Sequence, residues 1–180
     1  MNVKSIIVLA LTLTTFSDPG DAQTAARPRI KEQSLFGAEE EAVDRPVKVP
    51  DGALDILRKD EQVVRYLESE QKSPDELTTE EFLASEIHLN GRDEVDLVVM
   101  GGGHLRGANV ITFWVFRRLR EDYKLVLKVA ANGLKVQTAL WKGFRNISTA
   151  TPIAGSAVEM LYRFDGERYV RYREKSEPIQ

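Results

Sequence analysis

The sequence FLASEIHLNGRDEVDLVVMGGGHLRGANVITFWVFRR occupies residues 82–118 and contains three segments with the composition of β-strands. Residues 82–89 are the first candidate strand. Asn90 and Gly91 then predict a hairpin turn, because both residue types tolerate positive φ angles. Residues 95–100 (VDLVVM) are almost wholly apolar, as in a strand that is covered on both faces. The stretch therefore predicts the interior of a β-sheet.

The third segment, residues 110–116 (VITFWVF), is apolar on both faces of a strand. Trp114 lies on the same face as Thr112 and Phe116, since side chains alternate along a strand. A strand of this kind belongs in the middle of a sheet. We therefore expect Trp114 to be a core residue and not part of a binding site.

Further strands are predicted by alternating apolar and polar residues between glycine-containing turns. Asn132 with Gly133 and Asp165 with Gly166 have the composition of hairpin turns. The additional strand segments are residues 123–129, 134–140, 157–165 and 168–173. Together these segments predict an antiparallel sheet of about six strands.

Two short helices are predicted ahead of the sheet. Asp51 is a suitable N-cap for a helix over residues 52–59, and Asp60 for a second helix that ends near residue 70. Their apolar residues recur at helical spacing and predict one buried stripe on each. The predicted fold class is therefore α+β, with N-terminal short helices packed on the sheet in a single domain, residues 51–175.

The first fifty residues have a different composition. Residues 1–22 combine Lys4, an apolar run and a small residue, Ala22, at the expected cleavage point, which predicts a signal peptide. Residues 23–50 contain three prolines, an acidic run and few large apolar side chains, which predicts a disordered linker. The expected location is secreted or periplasmic, without stable membrane insertion after processing.

Composition excludes several classes of function. The 180 residues include no cysteine, so zinc–thiolate sites and cysteine nucleophiles are excluded. The net charge is only −3, with an acidic excess before residue 82 and a basic excess after it. Neither excess, in the absence of an aromatic–basic groove motif, predicts a nucleic-acid partner.

Residues 88–100 resemble one loop and strand of the FG-GAP or VCBS repeats, in which the loop D-x-N-x-D-G-x-x-D holds calcium. Asn90 and Asp96 match the third and ninth loop positions, whereas His88 and Arg92 replace two carboxylates. The resemblance implies a strand–turn–strand geometry. Calcium needs six to eight oxygen ligands, so we expect no calcium binding here.

A wider pattern is formed by the segments LASEIHLNG, DLVVM, FWVFRR, KGFRNI and YRFDGERY. It resembles small exported bacterial proteins of uncharacterised function. That resemblance implies a single domain outside the cytoplasm and names no activity.

The glycine-rich segment GGGHLRG, residues 101–107, carries the first candidate binding residues, His104 and Arg106. Glycines allow backbone N–H groups to surround an anion, and either side chain can complete such a site. A phosphate-binding loop normally precedes a helix, whereas this segment precedes a strand. The alternative is a simple connection between strands.

Four further candidates lie in the C-terminal half. Trp141 and Phe144, beside Lys142 and Arg145, have the chemistry to stack on a sugar or a peptide, or else to cover the core. Arg171 and Arg173 are predicted to share a strand face with Tyr169 at the sheet edge. Such an edge either binds an acidic partner or simply discourages aggregation.

These observations favour an exported, non-catalytic binding domain for a protein or glycan, with no metal and no cofactor. The alternative is a small secreted or periplasmic hydrolase that uses His104 with a carboxylate of the turn at residues 93–96. The two hypotheses differ in geometry, because the hydrolase requires His104 within hydrogen-bonding reach of Asp93 or Asp96.

Overall fold

The computed structural model describes residues 32–90, 94–107 and 109–178, and its folded unit extends from Lys31 to Gln180. The predicted signal peptide and residues 23–31 of the predicted linker lie outside the described residues. The strands are β1 (Leu35–Gly37), β2 (Phe82–Ile87), β3 (Asp96–Gly101), β4 (Ile111–Leu119), β5 (Asp122–Ala131), β6 (Gly133–Trp141), β7 (Phe144–Ile153), β8 (Ser156–Phe164) and β9 (Tyr169–Pro178). The helices are α1 (Asp51–Leu57) and α2 (Glu61–Ser69).

The strands form two antiparallel sheets. One has five strands in the order β1-β6-β7-β8-β9, and the other has four in the order β2-β3-β4-β5. Strands account for 52% of the described residues, and helices together with the short 3-10 turns account for 17%. The predicted α+β class with a sheet of about six strands is therefore wrong, and the fold is mainly β.

The error has two physical causes. The chain passes from one sheet to the other at Asn132, where the sequence predicted a hairpin within one sheet. The Asn132 backbone N–H donates to the Ala150 carbonyl and its carbonyl accepts from the Ala38 N–H, at 3.0 and 2.6 Å. The second cause is β7, whose buried Asn146, Ser148 and Thr149 conceal the strand pattern.

Strand β4 has the central position that its sequence predicts. It pairs with β3 on one side and β5 on the other, and its residues from Ile111 to Phe116 are all buried. Phe113 and Val115 face the core between the two sheets, whereas Trp114 and Phe116 face the helices. The prediction that Trp114 is a core residue is confirmed.

The helices cover the second face of the four-stranded sheet. Asp60 caps α2, as predicted, by accepting a hydrogen bond from the Gln62 N–H. The predicted N-cap of α1 is wrong by one residue, because Pro50 occupies the cap position and Asp51 is the first helical residue. Their buried residues, Ala53, Leu54, Leu57, Val63 and Leu67, join the cluster that contains Trp114 and Phe116. No helix formed by the described residues is long and apolar enough to cross a membrane.

Residues 32–50, predicted to be part of a disordered linker, contribute to the folded unit. Strand β1 pairs with β6, and the Phe36 side chain is fully buried in the core between the sheets. Gln33 closes the following loop by accepting a hydrogen bond from the Asp44 N–H at 2.8 Å. The composition of residues 32–50 did not predict that they are folded. A few apolar residues are enough to order such a segment when they fill a core formed by distant strands.

Asp60 connects α2 to the four-stranded sheet. Its carboxylate accepts from the Trp114 indole at 3.1 Å and lies 2.7 Å from the Lys128 ammonium. Burial opposes ionisation of this group, but the hydrogen bonds from Lys128, Trp114 and the Gln62 N–H outweigh it. The pKa of Asp60 is therefore lowered from its ordinary value of 3.8.

We expect Asp60→Asn to lower the free energy of unfolding at neutral pH by about 1 kcal/mol, because asparagine keeps the helix cap but loses the charge. Since the folded-state pKa lies below the unfolded value, the charge stabilises the protein above the unfolded pKa. That stabilisation is lost as the pH falls through the folded pKa. Urea unfolding at pH values above and below this window should show the difference between variant and wild type shrinking in acid. An equal difference at both pH values would contradict the assignment.

Candidate functional site

The five-stranded sheet has one face that is open to solvent. Tyr162 and Phe164 of β8 are buried in the core between the sheets, so Arg163 between them points to the opposite face. We call that face the outer face. It carries Glu159, Leu161 and Arg163 of β8 with their β9 partners Lys175, Arg173 and Val170. All but Leu161 and Arg163, which are half-buried, are exposed.

An aromatic clamp, formed by Trp141, Arg163 and Tyr172, lies on this outer face. The Arg163 guanidinium carbon is 4.4 Å from the centre of the Trp141 ring and 3.5 Å from the centre of the Tyr172 ring. Both rings remain accessible, with exposed fractions of 40% for Trp141 and 57% for Tyr172. The clamp thus combines a held cation with two exposed aromatic surfaces.

Two irregular features of the sheet assemble the clamp. Trp141 ends β6 at a tight turn in which Lys142 and Gly143 have φ angles of 51° and 80°. Tyr172 is the extra residue of a β-bulge, since Leu161 pairs with Arg173 but Tyr162 pairs with Arg171. Bulges often redirect a side chain in this way.

A shallow depression borders the clamp on the outer face. It is lined by Gln137, Glu159, Leu161, Arg173 and Lys175. Two cations and one carboxylate give it a positive balance. Its polar and charged lining extends the surface that the clamp offers.

Trp141 and Phe144, which the sequence placed in one candidate patch, are partners in the β6–β7 hairpin but differ in their contacts. Phe144 stacks on the buried Phe164 ring with 4.2 Å between ring centres, and Arg117 lies over its ring at 5.0 Å. It is half-buried against the core between the sheets. Trp141 is therefore the exposed member of the pair.

Arg145, the basic neighbour in that candidate patch, is mostly buried. Its guanidinium donates to the Val136 and Gln137 carbonyls at 3.0 and 2.7 Å and pairs with Glu32 at 3.1 Å. Its backbone N–H donates to the Leu89 carbonyl at 2.7 Å. Arg145 thereby joins the end of the four-stranded sheet to β6 and β7, which is a structural role.

Arg171 and Arg173 do not share a face, contrary to expectation, because the bulge at Tyr172 interrupts the alternation of β9. Arg173 lies on the outer face. Arg171 pairs with Glu174 at 3.2 Å and lines a groove between the edge strands β5 and β9. The predicted edge position of this last strand is confirmed.

His104 and Arg106 lie in and just after a 3-10 turn, Gly103–Leu105. His104 is exposed. The Arg106 guanidinium donates to the Ala38 carbonyl, and the distance from Nε to the carbonyl oxygen is 2.8 Å. The N–H groups of Gly102, Leu105 and Arg106 donate to carbonyls of Glu81, Gly102 and Gly103. Backbone carbonyls already occupy these three donors, so the segment does not present them to an anion.

The proposed hydrolytic pair of His104 and Asp96 is not formed. Asp96 begins β3 and His104 lies beyond the other end of the strand, and the length of β3 alone is about 17 Å. Asp96 is buried, and its two oxygens accept from the Leu89 and Arg118 N–H groups at 2.9 Å each. Burial raises the pKa of Asp96, in spite of these hydrogen bonds. Asp93 lies outside the described residues.

Sequence reasoning missed Arg163 and Tyr172. The alternation of Val158, Met160, Tyr162 and Phe164 placed Arg163 on the opposite strand face, which was a usable signal. No local pattern indicates that Trp141 and Tyr172 reach the same position, because they come from different strands and one depends on a bulge.

Comparison with protein-family models, with curated proteins and with solved structures finds no match to this chain. The resemblance of residues 88–100 to calcium-loop repeats and the expected lack of calcium binding therefore stay predictions. The site must be interpreted from its own chemistry.

Proposed function

We propose that this protein is an exported, non-catalytic binding domain whose partner, a protein or a glycan, docks on the outer face of the five-stranded sheet. One observation supports this proposal above the others. The aromatic clamp presents a tryptophan, an arginine and a tyrosine on a sheet face that is open to solvent.

The chemistry of these residues fits recognition. Tryptophan, tyrosine and arginine are enriched among the residues that dominate binding energy at interfaces. Aromatic rings bury a large area with little loss of side-chain freedom, and they stack on sugars as well as on peptide groups. Strand-borne residues are also held more rigidly than residues on loops.

The contrast with the other sheet supports the same surface. The second face of the four-stranded sheet is covered by α1 and α2, whose apolar residues bury Trp114 and Phe116. None of residues 32–90, 94–107 and 109–178 covers the outer face in this way, and Trp141, Val170 and Tyr172 are exposed there. Exposed aromatic and apolar residues close together commonly mark an interaction site.

The test is partner capture with matched variants. Immobilised wild-type protein is exposed to the exported fraction of the cells that make it and to a glycan array. The double variant Trp141→Ala/Tyr172→Ala is expected to bind the captured partner at least about tenfold more weakly. Ile153→Ala is the control, because Ile153 is an exposed apolar residue at the β7–β8 turn, away from the clamp.

Melting curves of both variants should stay close to wild type, since all three side chains are exposed. Capture of a partner whose dissociation constant is the same for the double variant and wild type would contradict the proposed surface. Failure to capture any partner from either source would count against the binding function itself.

A further inference from the structure

We propose that Arg163 is a carboxylate-binding site, which takes an aspartate or glutamate side chain of a protein partner. This inference rests on the proposed function and specifies the partner's chemistry at the clamp.

The Arg163 guanidinium lacks an anionic partner among the described residues. Its Nε atom is covered and makes no hydrogen bond. Its two terminal nitrogens are not buried in this way, and no carboxylate of residues 32–90, 94–107 or 109–178 lies within ion-pair distance of them. The terminal edge of the guanidinium is thus available to a ligand.

Several other arginines of the protein have an acidic neighbour. Arg58 pairs with Asp55, Arg65 with Glu61, Arg145 with Glu32 and Arg171 with Glu174. Arg163 is half-buried, so its charge is partly removed from water without such compensation. A carboxylate supplied by a partner would provide that compensating negative charge.

The clamp also holds the guanidinium in a fixed orientation. Both rings contact the guanidinium, with their centres 4.4 and 3.5 Å from its central carbon, and these two contacts restrict rotation of a flexible side chain. Part of the ordering cost of binding is therefore met before the partner arrives. The two terminal N–H groups can then donate in parallel to the two oxygens of one carboxylate.

The surroundings favour a protein over a glycan. Val170 is the strand partner of Arg163, and Leu161 precedes it on the same face. With Trp141 and Tyr172, these side chains place apolar surface directly beside the Arg163 cation. A buried charged contact surrounded by apolar residues is typical of protein interfaces, whereas a sugar needs several polar groups around the stacking ring.

The occupant is accordingly a segment in which an acidic residue is flanked by apolar residues. Arg173, paired with Leu161 across the strands, adds a second positive charge nearby. That charge would increase the association rate of an acidic partner more than its final affinity.

The test compares two capped peptides, Leu-Glu-Leu and Leu-Gln-Leu, by NMR titration of the full-length protein at low salt. The indole N–H signal of Trp141, identified by its absence in Trp141→Phe, reports on binding at the clamp. The glutamate peptide is expected to bind about tenfold more tightly than the glutamine peptide. Arg163→Lys should reduce this preference, because lysine keeps the charge but cannot form two parallel hydrogen bonds or stack equally well.

Arg65→Lys is the matched control, an exposed arginine on α2 that should leave both titrations unchanged. Equal binding of the two peptides by wild type would overturn the proposal without use of any variant. A hexuronate oligosaccharide that binds with the same dependence on Arg163, while the peptides do not, would overturn the assignment to a protein partner.

The outcomes also separate this inference from the proposed function. If Trp141→Ala/Tyr172→Ala abolishes partner capture while Arg163→Lys binds the partner as wild type does, the carboxylate site is wrong and the binding surface stands. If none of these variants changes capture, both proposals are wrong.

Discussion

Replacement of Trp114 by alanine is expected to lower the free energy of unfolding by about 3 to 5 kcal/mol. Trp114 is one of the largest fully buried side chains among the described residues, with an exposed fraction of 0%. Its ring meets the edge of Phe82 at 5.9 Å between ring centres, and its indole N–H donates to Asp60. The substitution leaves a large cavity between α2 and β4 and removes the hydrogen bond that the indole donates to Asp60.

Urea unfolding followed by circular dichroism measures this effect. The matched control is Trp141→Ala, which removes the same side chain from an exposed position and should cost far less. For a domain of ordinary stability, this loss leaves the Trp114 variant close to the limit of folding at growth temperature. A folded Trp114→Ala protein with wild-type stability would refute the packing of the helices on this sheet.

Replacement of Arg145 by alanine is expected to lower the free energy of unfolding by about 3 kcal/mol or more, because it removes the cation that pairs with Glu32 and the donor to several carbonyls. The Val136 and Gln137 carbonyls each accept from its guanidinium, and the His88 carbonyl lies 3.4 Å from Nη1. Arg145→Lys should recover only part of this loss, since an ammonium cannot match the spread of the guanidinium donors.

Thermal melting of both Arg145 variants tests this second expectation. Arg171→Ala serves as the control, because Arg171 is exposed and its pair with Glu174 is worth little. If Arg145→Ala melted at the same temperature as Arg171→Ala, the connection between the two sheets would not depend on this side chain.

Local patterns predicted the parts of the fold that depend on local chemistry. The two-sided apolar sequence of β4 predicted its central position, and Asp51 and Asp60 marked the starts of two helices. The Asp165–Gly166 turn was also predicted, and there the Asp165 carboxylate accepts from the Glu167 and Arg168 N–H groups.

The division into two sheets was not predictable from these patterns. An alternating strand has the same sequence whether its neighbour lies in its own sheet or in the facing one, so β5 and β6 read as a hairpin. Strand β1 is only three residues long and gains its stability from β6 and the distant core. Both features arise from contacts between residues far apart in the chain.

The candidate site was predicted in part. Trp141 and Arg173 were identified and lie on the outer face, whereas Phe144 proved to be a core residue and Arg106 holds the Ala38 carbonyl. Arg163, the centre of the clamp, was missed because its significance depends on two rings from other strands. The sequence therefore identified some residues of the site but not how residues from three strands come together in the clamp.

The extra residue at Tyr172 determines which side chains of the following part of β9 face outward. With the insertion, Arg173 and Lys175 appear on the outer face, opposite Leu161 and Glu159. If Tyr172 were instead paired regularly with Leu161, the register of the same tail would shift by one residue, and Glu174 and Ser176 would face outward instead. The sign of the charge at this surface is therefore set by the bulge in β9 as much as by the composition of the strand, since the same sequence paired without a bulge would turn Arg173 and Lys175 to the inner face and Glu174 to the outer face.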